Sequence, residues 1–186
     1  MRHRLIFEAV VILWVAMEIV CSFGKRASAA IARDRGSLTI IWVTLIAAMF
    51  AAGALSNVDE TRIRPAEPAF WIGIALVLIG MVIRAVAIVT LGRYFTVNVA
   101  IQKEHELIER GMYRHIRHPS YLGSLLSFAG VGLAMGNWLS LAAAFLVPFI
   151  ALSYRMAVEE RALIDHFGDR YRDYARRTNR LIPRIY

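Results

Sequence analysis

The chain has 186 residues, 58% of them hydrophobic, and a formal net charge of +8, with a mean hydropathy of +0.52. That apolar share exceeds what a soluble domain hides, so an ordinary soluble globule is excluded, and the length bounds one domain, 1–186. The positive charges lie between apolar segments, with no basic groove interleaved with aromatics, which favours a lipid bilayer over nucleic acid as partner.

A membrane helix needs roughly 20 mostly apolar residues, and the stretches 5–23, 38–55, 69–91 and 138–158 meet or approach that length. A fifth, 121–135, covers only about 22 Å at ~1.5 Å per residue, so it is expected to start below the membrane surface or to tilt within protein. The fold class read from this pattern is an all-α membrane protein of five transmembrane helices. Its fourth and fifth helices form a short hairpin through Gly136 and Asn137, with Gly130, Gly132 and Gly136 letting that hairpin pack closely. Residues 1–4 carry the charge of a signal peptide's start, but no small-residue cleavage site follows, and Glu8 and Glu18 interrupt the apolar stretch, so it reads as a mature helix. Cys21, the one cysteine, reads as a small buried hydrophobe. Glu8, Glu18 and Arg84 are ionisable groups in apolar spans, where cost points to function or a structural pair; the bland reading is an interhelical ion pair, or snorkelling for Glu18 and Arg84 near span ends. Pro65 and Pro68 punctuate a loop, and Pro148 lies inside the last span, where it is expected to bend the helix.

Sidedness follows from the basic residues. Loop 24–37, loop 92–120 and tail 159–186 hold sixteen Lys and Arg, against four outside the spans on the other side. The positive-inside rule therefore puts the C-terminus, and any chemistry in the long polar segments, on the cytoplasmic side.

Residues 114–126 read RHIRHPSYLGSLL. Pro119 suits the first turn of a helix, which makes His118 the cap and leaves the N–H groups of Ser120 and Tyr121 pointing outward. A helix start favours anions, and Arg117 and His118 add side-chain donors, so the stretch reads as a holder for a carboxylate or phosphate. A metal reading of HIRH is weak, because the proline breaks any shared helical face and His105 is the only further nitrogen ligand nearby; no metal is expected. Arg155 closes the last span, with Glu159 one helical turn later on the same face.

LGRYFTVNVAIQKEHELIERGMYRHIRHPSYLG, followed by RMAVEERALIDHFGDRYRDYARR, resembles the isoprenylcysteine carboxyl methyltransferases, integral-membrane enzymes that use S-adenosylmethionine and share motifs with phospholipid methyltransferases. The detailed resemblance covers residues 91–183, the expected catalytic half; the first two spans contribute only hydropathy. The resemblance implies a cofactor site built from Gln102, His105, Glu106, Leu107, Ile108, Tyr113, His118, Pro119, Ser120 and Tyr121, joined by Glu159. It also implies that Arg155 is the catalytic and substrate-binding arginine that meets the methyl acceptor. Arg117 and Glu160 are further candidates. Between Gln102 and His105 the chain is shorter than the eukaryotic members, and it ends LIPRIY without their TGLP-like segment.

The residue chemistry is compatible with that implication. The helix start at 118–121 suits the cofactor's carboxylate, and Glu159 suits its ammonium or ribose hydroxyls. Tyr94, Phe95, Tyr113 and Tyr121 offer an aromatic face for a sulfonium, although interfacial belt residues look the same. No GxGxxG joins a strand to a helix, so a Rossmann-type site is not available. The leading function is methyl transfer to the carboxylate of a lipophilic or lipidated acceptor, which needs a cation and no base. A phospholipid, or another amine or thiol, is the alternative acceptor; an amine requires a base, with Glu160 or His115 as candidates. A sterol-reductase-like oxidoreductase using NADPH is a remote third reading, and a non-catalytic scaffold the bland one.

Overall fold

The computed structural model describes residues 1–23, 35–95 and 106–182. Among them are six α-helices: α1 (Arg2–Phe23), α2 (Arg35–Leu55), α3 (Ala66–Leu91), α4 (Pro119–Ala134), α5 (Trp138–Phe167) and α6 (Asp169–Arg177). The described residues contain no strand, only two isolated backbone bridges, Arg62 with Asn137 and Ile116 with Asn179. The class is all-α, as the hydropathy pattern implies. Two stretches, Ala66–Tyr94 and Trp138–Phe167, are long and apolar enough to cross a membrane, and Ile41–Leu55 and Pro119–Ala134 are shorter apolar helices.

The helix ends follow from local chemistry. Asn137 caps α5, its side chain accepting from the N–H groups of Leu139 and Ser140 at 2.8 and 3.2 Å, which satisfies two donors that a helix start leaves open. Pro119 stands at the first turn of α4 with His118 as the cap residue. The α5 helix continues through Pro148 to Phe167, about 45 Å at ~1.5 Å per residue, and so outruns the apolar stretch 138–158. It stops at Gly168, whose φ of +58° suits glycine and turns the chain into α6. Within the polar tail, residues 159–167 extend α5 and Asp169–Arg177 form α6, with Tyr171 and Tyr174 buried.

The closest helix contact joins α3 and α4. A Cβ placed on Gly123 would lie 2.6 Å from the Gly80 carbonyl oxygen, and one on Gly130 would lie 2.6 Å from that of Gly73. Only the missing side chains let these backbones meet. This corrects the hairpin expectation: Gly132 does pack on α5, its added Cβ lying 2.8 Å from that of Ala144, but Gly130 faces α3, and a Cβ on Gly136 meets nothing within 4 Å. The α1 helix closes over α3 and α4 through a core of Trp14, Val77, Phe128 and Val131, with Trp14 edge-on to Phe128 at 4.9 Å between centroids. The α2 helix lies along α5, where Ser140 Oγ donates to the Ala52 carbonyl at 2.7 Å.

Candidate active site

The segment that opens α4 is built together with the tail. The Arg117 and His118 N–H groups donate to the carbonyls of Asn179 and Arg180, and the Asn179 N–H donates back to His115, at 2.8, 3.1 and 3.1 Å. Tyr174 Oη donates to the Tyr113 carbonyl at 2.7 Å. Glu160 sits behind this seam as a hub. Its carboxylate takes Arg117 Nε at 2.8 Å and His118 Nε2 at 3.1 Å on one oxygen and Arg180 Nη2 on the other. Burial alone would raise the Glu160 carboxyl, but the hydrogen bonds from His118, Arg180 and Arg117 outweigh it and hold the group well below the usual carboxylate range.

Those contacts correct the anion-holder reading. The Arg117 and His118 side chains already serve a carboxylate of the same chain, and Arg117 also donates to the carbonyls of Ala175 and Thr178. The Tyr121 N–H turns back to the His118 carbonyl at 3.1 Å rather than pointing outward. Glu8 pairs with Arg4 on its own helix, not across helices. The interhelical pair is Glu18 with Arg84, at 2.7 Å.

A cavity of about 520 Å³ lies against this seam. Its polar wall holds Tyr113, Ser120, Tyr121, Arg155 and Glu159, and Tyr121 Oη donates to Glu159 Oε2 at 2.8 Å. Arg155 is 3% exposed, so its guanidinium is drawn out of bulk water into the wall. Burial, reinforced by Glu159, pushes the Tyr113 phenol up and keeps it neutral. From the polar wall the cavity runs into an apolar gallery of Val15 and Ile19 from α1 and Trp42, Leu45, Ile46, Met49 and Phe50 from α2.

Of the candidates from sequence, Glu106, Leu107, Ile108, Tyr113, Arg117, His118, Ser120, Tyr121, Arg155 and Glu159 line this one cavity, with Tyr94 and Phe95. Pro119 is fully buried beside the wall without lining it, and Glu160 lies behind. His115 is exposed and off the cavity. Gln102 and His105 lie outside the described residues. Three features escaped the sequence: the contribution of α1 and α2, the placement of Glu18 and Arg84 in the cavity lining, and that of Tyr171 and Tyr174 on α6. Only the FGxxYxxY spacing pointed at these two tyrosines.

The model of the isoprenylcysteine carboxyl methyltransferase (ICMT) family matches residues 71–165. A rice protein (Oryza sativa subsp. indica) named "Probable protein-S-isoprenylcysteine O-methyltransferase" is 36% identical over 155 residues, which cover 80% of each chain. An Arabidopsis thaliana protein, protein-S-isoprenylcysteine O-methyltransferase B, is 34% identical over 119 residues, covering 61% of this chain and 60% of its own. Among solved structures, the eukaryotic intramembrane Ras methyltransferase ICMT superposes with a TM-score of 0.69 at 23% identity. That match covers 96% of this chain and 65% of the solved one, and at that identity it speaks to the fold.

Proposed function

The chain belongs to the isoprenylcysteine carboxyl methyltransferase family, and on that premise we propose that it methylates the carboxylate of a lipophilic, isoprenylcysteine-like acceptor with S-adenosylmethionine as donor. One observation carries the reading: a single cavity joins a polar wall containing Arg155 and Glu159 to an apolar gallery. A water-soluble donor and a greasy acceptor need such a two-natured space. The chain acts as a single domain with its catalytic half at 91–183, crossing the bilayer five times with the active site and C-terminus at the cytoplasmic face. The lipophilic part of the acceptor comes from the bilayer.

The lining fits the donor. A buried cation and a partly buried carboxylate share one wall with the rings of Tyr113 and Tyr121, the chemistry that a zwitterion bearing a sulfonium asks for. Tyr171 Oη and Trp14 Nε1, on two residues of the lining, are buried with no hydrogen-bond partner among the described residues, which leaves donors for a bound molecule. Residues 106–108, Tyr113, Ser120, Tyr121 and Glu159 would hold the cofactor, with His118 and Pro119 setting the turn. When bound, S-adenosylmethionine supplies an electrophilic methyl group.

Arg155 grips the acceptor carboxylate with a planar two-pronged contact and brings it out of water. The neutral tyrosines wall the site against water, and Glu159, fixed by Tyr121, takes the donor's ammonium or ribose hydroxyls. The reaction then depends mainly on placement. Neither base expected for an amine acceptor stands free in the cavity: Glu160 is committed to Arg117, His118 and Arg180 behind the wall, and His115 is exposed.

Calorimetric titration of purified protein is expected to detect S-adenosylmethionine and not NADPH; the reverse would favour the reductase reading. Arg155→Lys is expected to keep cofactor binding and lose most turnover, with a large fall in kcat/KM, because Lys keeps the charge without the fork. Wild-type rates should stay flat from pH 6 to 9, since a carboxylate of pKa ~4 is already ionised there. A rate that climbs with pH, with a nearly unaffected Lys variant, would point instead to an amine acceptor.

A further inference from the structure

Arg84 lies within the apolar α3 helix, where an ionisable group is costly and tends to mark function. Its Nε meets Glu18 Oε1 of α1 at 2.7 Å, both side chains being less than one-sixth exposed, as a close charge contact rather than an aligned hydrogen bond. Its Nη1 donates to Ser120 Oγ at 2.9 Å and to the Ser120 carbonyl at 3.3 Å. Gly123, one turn along α4, lets the two helices approach closely beside it: a Cβ there would lie 2.7 Å from the Arg84 backbone nitrogen. Glu18, Arg84, Ser120 and Tyr121 all line the cavity.

Stability alone does not account for this cluster. A guanidinium at the first turn of a helix faces the positive end of its dipole, and well-packed apolar residues often replace a buried ion pair without loss. What the cluster does achieve is positional: it ties α1 and α3 to the first turn of α4. The next residue is Tyr121, whose hydroxyl fixes Glu159. A shift of that turn therefore moves both groups, and small misplacements at a reacting centre are costly.

We infer that Arg84, held by Glu18, is a positioning residue that sets Ser120 and Tyr121 for the cofactor, so that the first helix takes part in building the site. This rests on the proposed cofactor reading. The test compares wild type, Arg84→Lys, Ser120→Ala and their double variant in one lipid nanodisc preparation. Binding is measured by S-adenosylmethionine calorimetry, and melting temperature is recorded alongside. Lysine can reach Glu18 or Ser120 but not both, so Arg84→Lys should weaken binding roughly tenfold, the scale of one charged hydrogen bond. The double variant should bind no worse than the weaker single, because Arg84 acts through Ser120. Glu18→Gln, which keeps shape and loses charge, should weaken binding in the same direction and completes the cycle with Ser120→Ala if Arg84→Lys does not fold. Wild-type affinity in the variants, a lower melting temperature alone, or losses that multiply in the double variant would overturn the inference and leave the cofactor reading standing. Folded wild type that binds no S-adenosylmethionine would remove both.

Discussion

Glu159 and Glu160 are neighbours in sequence and face opposite duties. About 100° of helical rotation separates them, enough to turn Glu159 to the cavity, where Tyr121 donates to it, and Glu160 to the seam with the tail. Both carboxylates stood out in the sequence, and so did the rotation between them; which one looked inward depended on where α4 and α6 pack. Glu159→Gln keeps the shape and removes the charge. It is expected to weaken S-adenosylmethionine binding by about 1.5–3 kcal/mol, the range for a lost charged hydrogen bond. Unchanged affinity in a direct titration would leave Glu159 as no more than a partner for Tyr121.

At the scale of elements, the tail is part of the site. The α6 helix and residues 178–181 close over the segment before α4, and the Glu160 hub fastens them. Removing one partner of a buried ion cluster leaves the others uncompensated, so Glu160→Gln is expected to cost about 3 kcal/mol and to speed tryptic cleavage after Arg176. The pH dependence has a definite sign. The native Glu160 carboxyl lies below its ordinary value of 4.5, so its contribution is fully present above that pH and is lost as pH falls toward the native value. Wild-type melting temperature should therefore lose this contribution only below about pH 4.5, and the Gln variant should lack that part of the acid response. The α3–α4 contact belongs to this scale too. Gly73 and Gly80 are seven residues apart, as are Gly123 and Gly130, a spacing that puts each pair on one helix face. The signal was in the sequence, but nothing there said that the two faces met each other.

For the whole molecule, the decisive feature is that α1 and α2 close the cavity over a core of α3, α4 and α5. Helices that contributed only hydropathy to the family resemblance supply the gallery, and Glu18 besides. The proposed arrangement in the bilayer can be checked directly. Asn57 is exposed in the α2–α3 connection, on the side that carries few basic residues. In a Cys21→Ser background, a cysteine at Asn57 should react with an impermeant thiol reagent only from outside the cell, and a reporter fused after Tyr186 should read cytoplasmic. Labelling of Asn57→Cys from the cytoplasmic side alone would overturn the five-crossing map.

The sequence by itself determined the helical class, the apolar stretches, the start of α4 at Pro119, and the pairing of Arg155 with Glu159 on one face. These are local properties: apolar length, a proline's missing N–H and a four-residue step each act within a turn or a single helix. Only the tertiary structure decided that Glu18 meets Arg84, that Gly130 serves α3 rather than the hairpin, and that Arg117 and His118 are taken by Glu160. Each of those depends on the rotation and depth of two helices at once. Such quantities come from packing small residues against backbone and buried charges against each other, and no single helix carries them in its own periodicity.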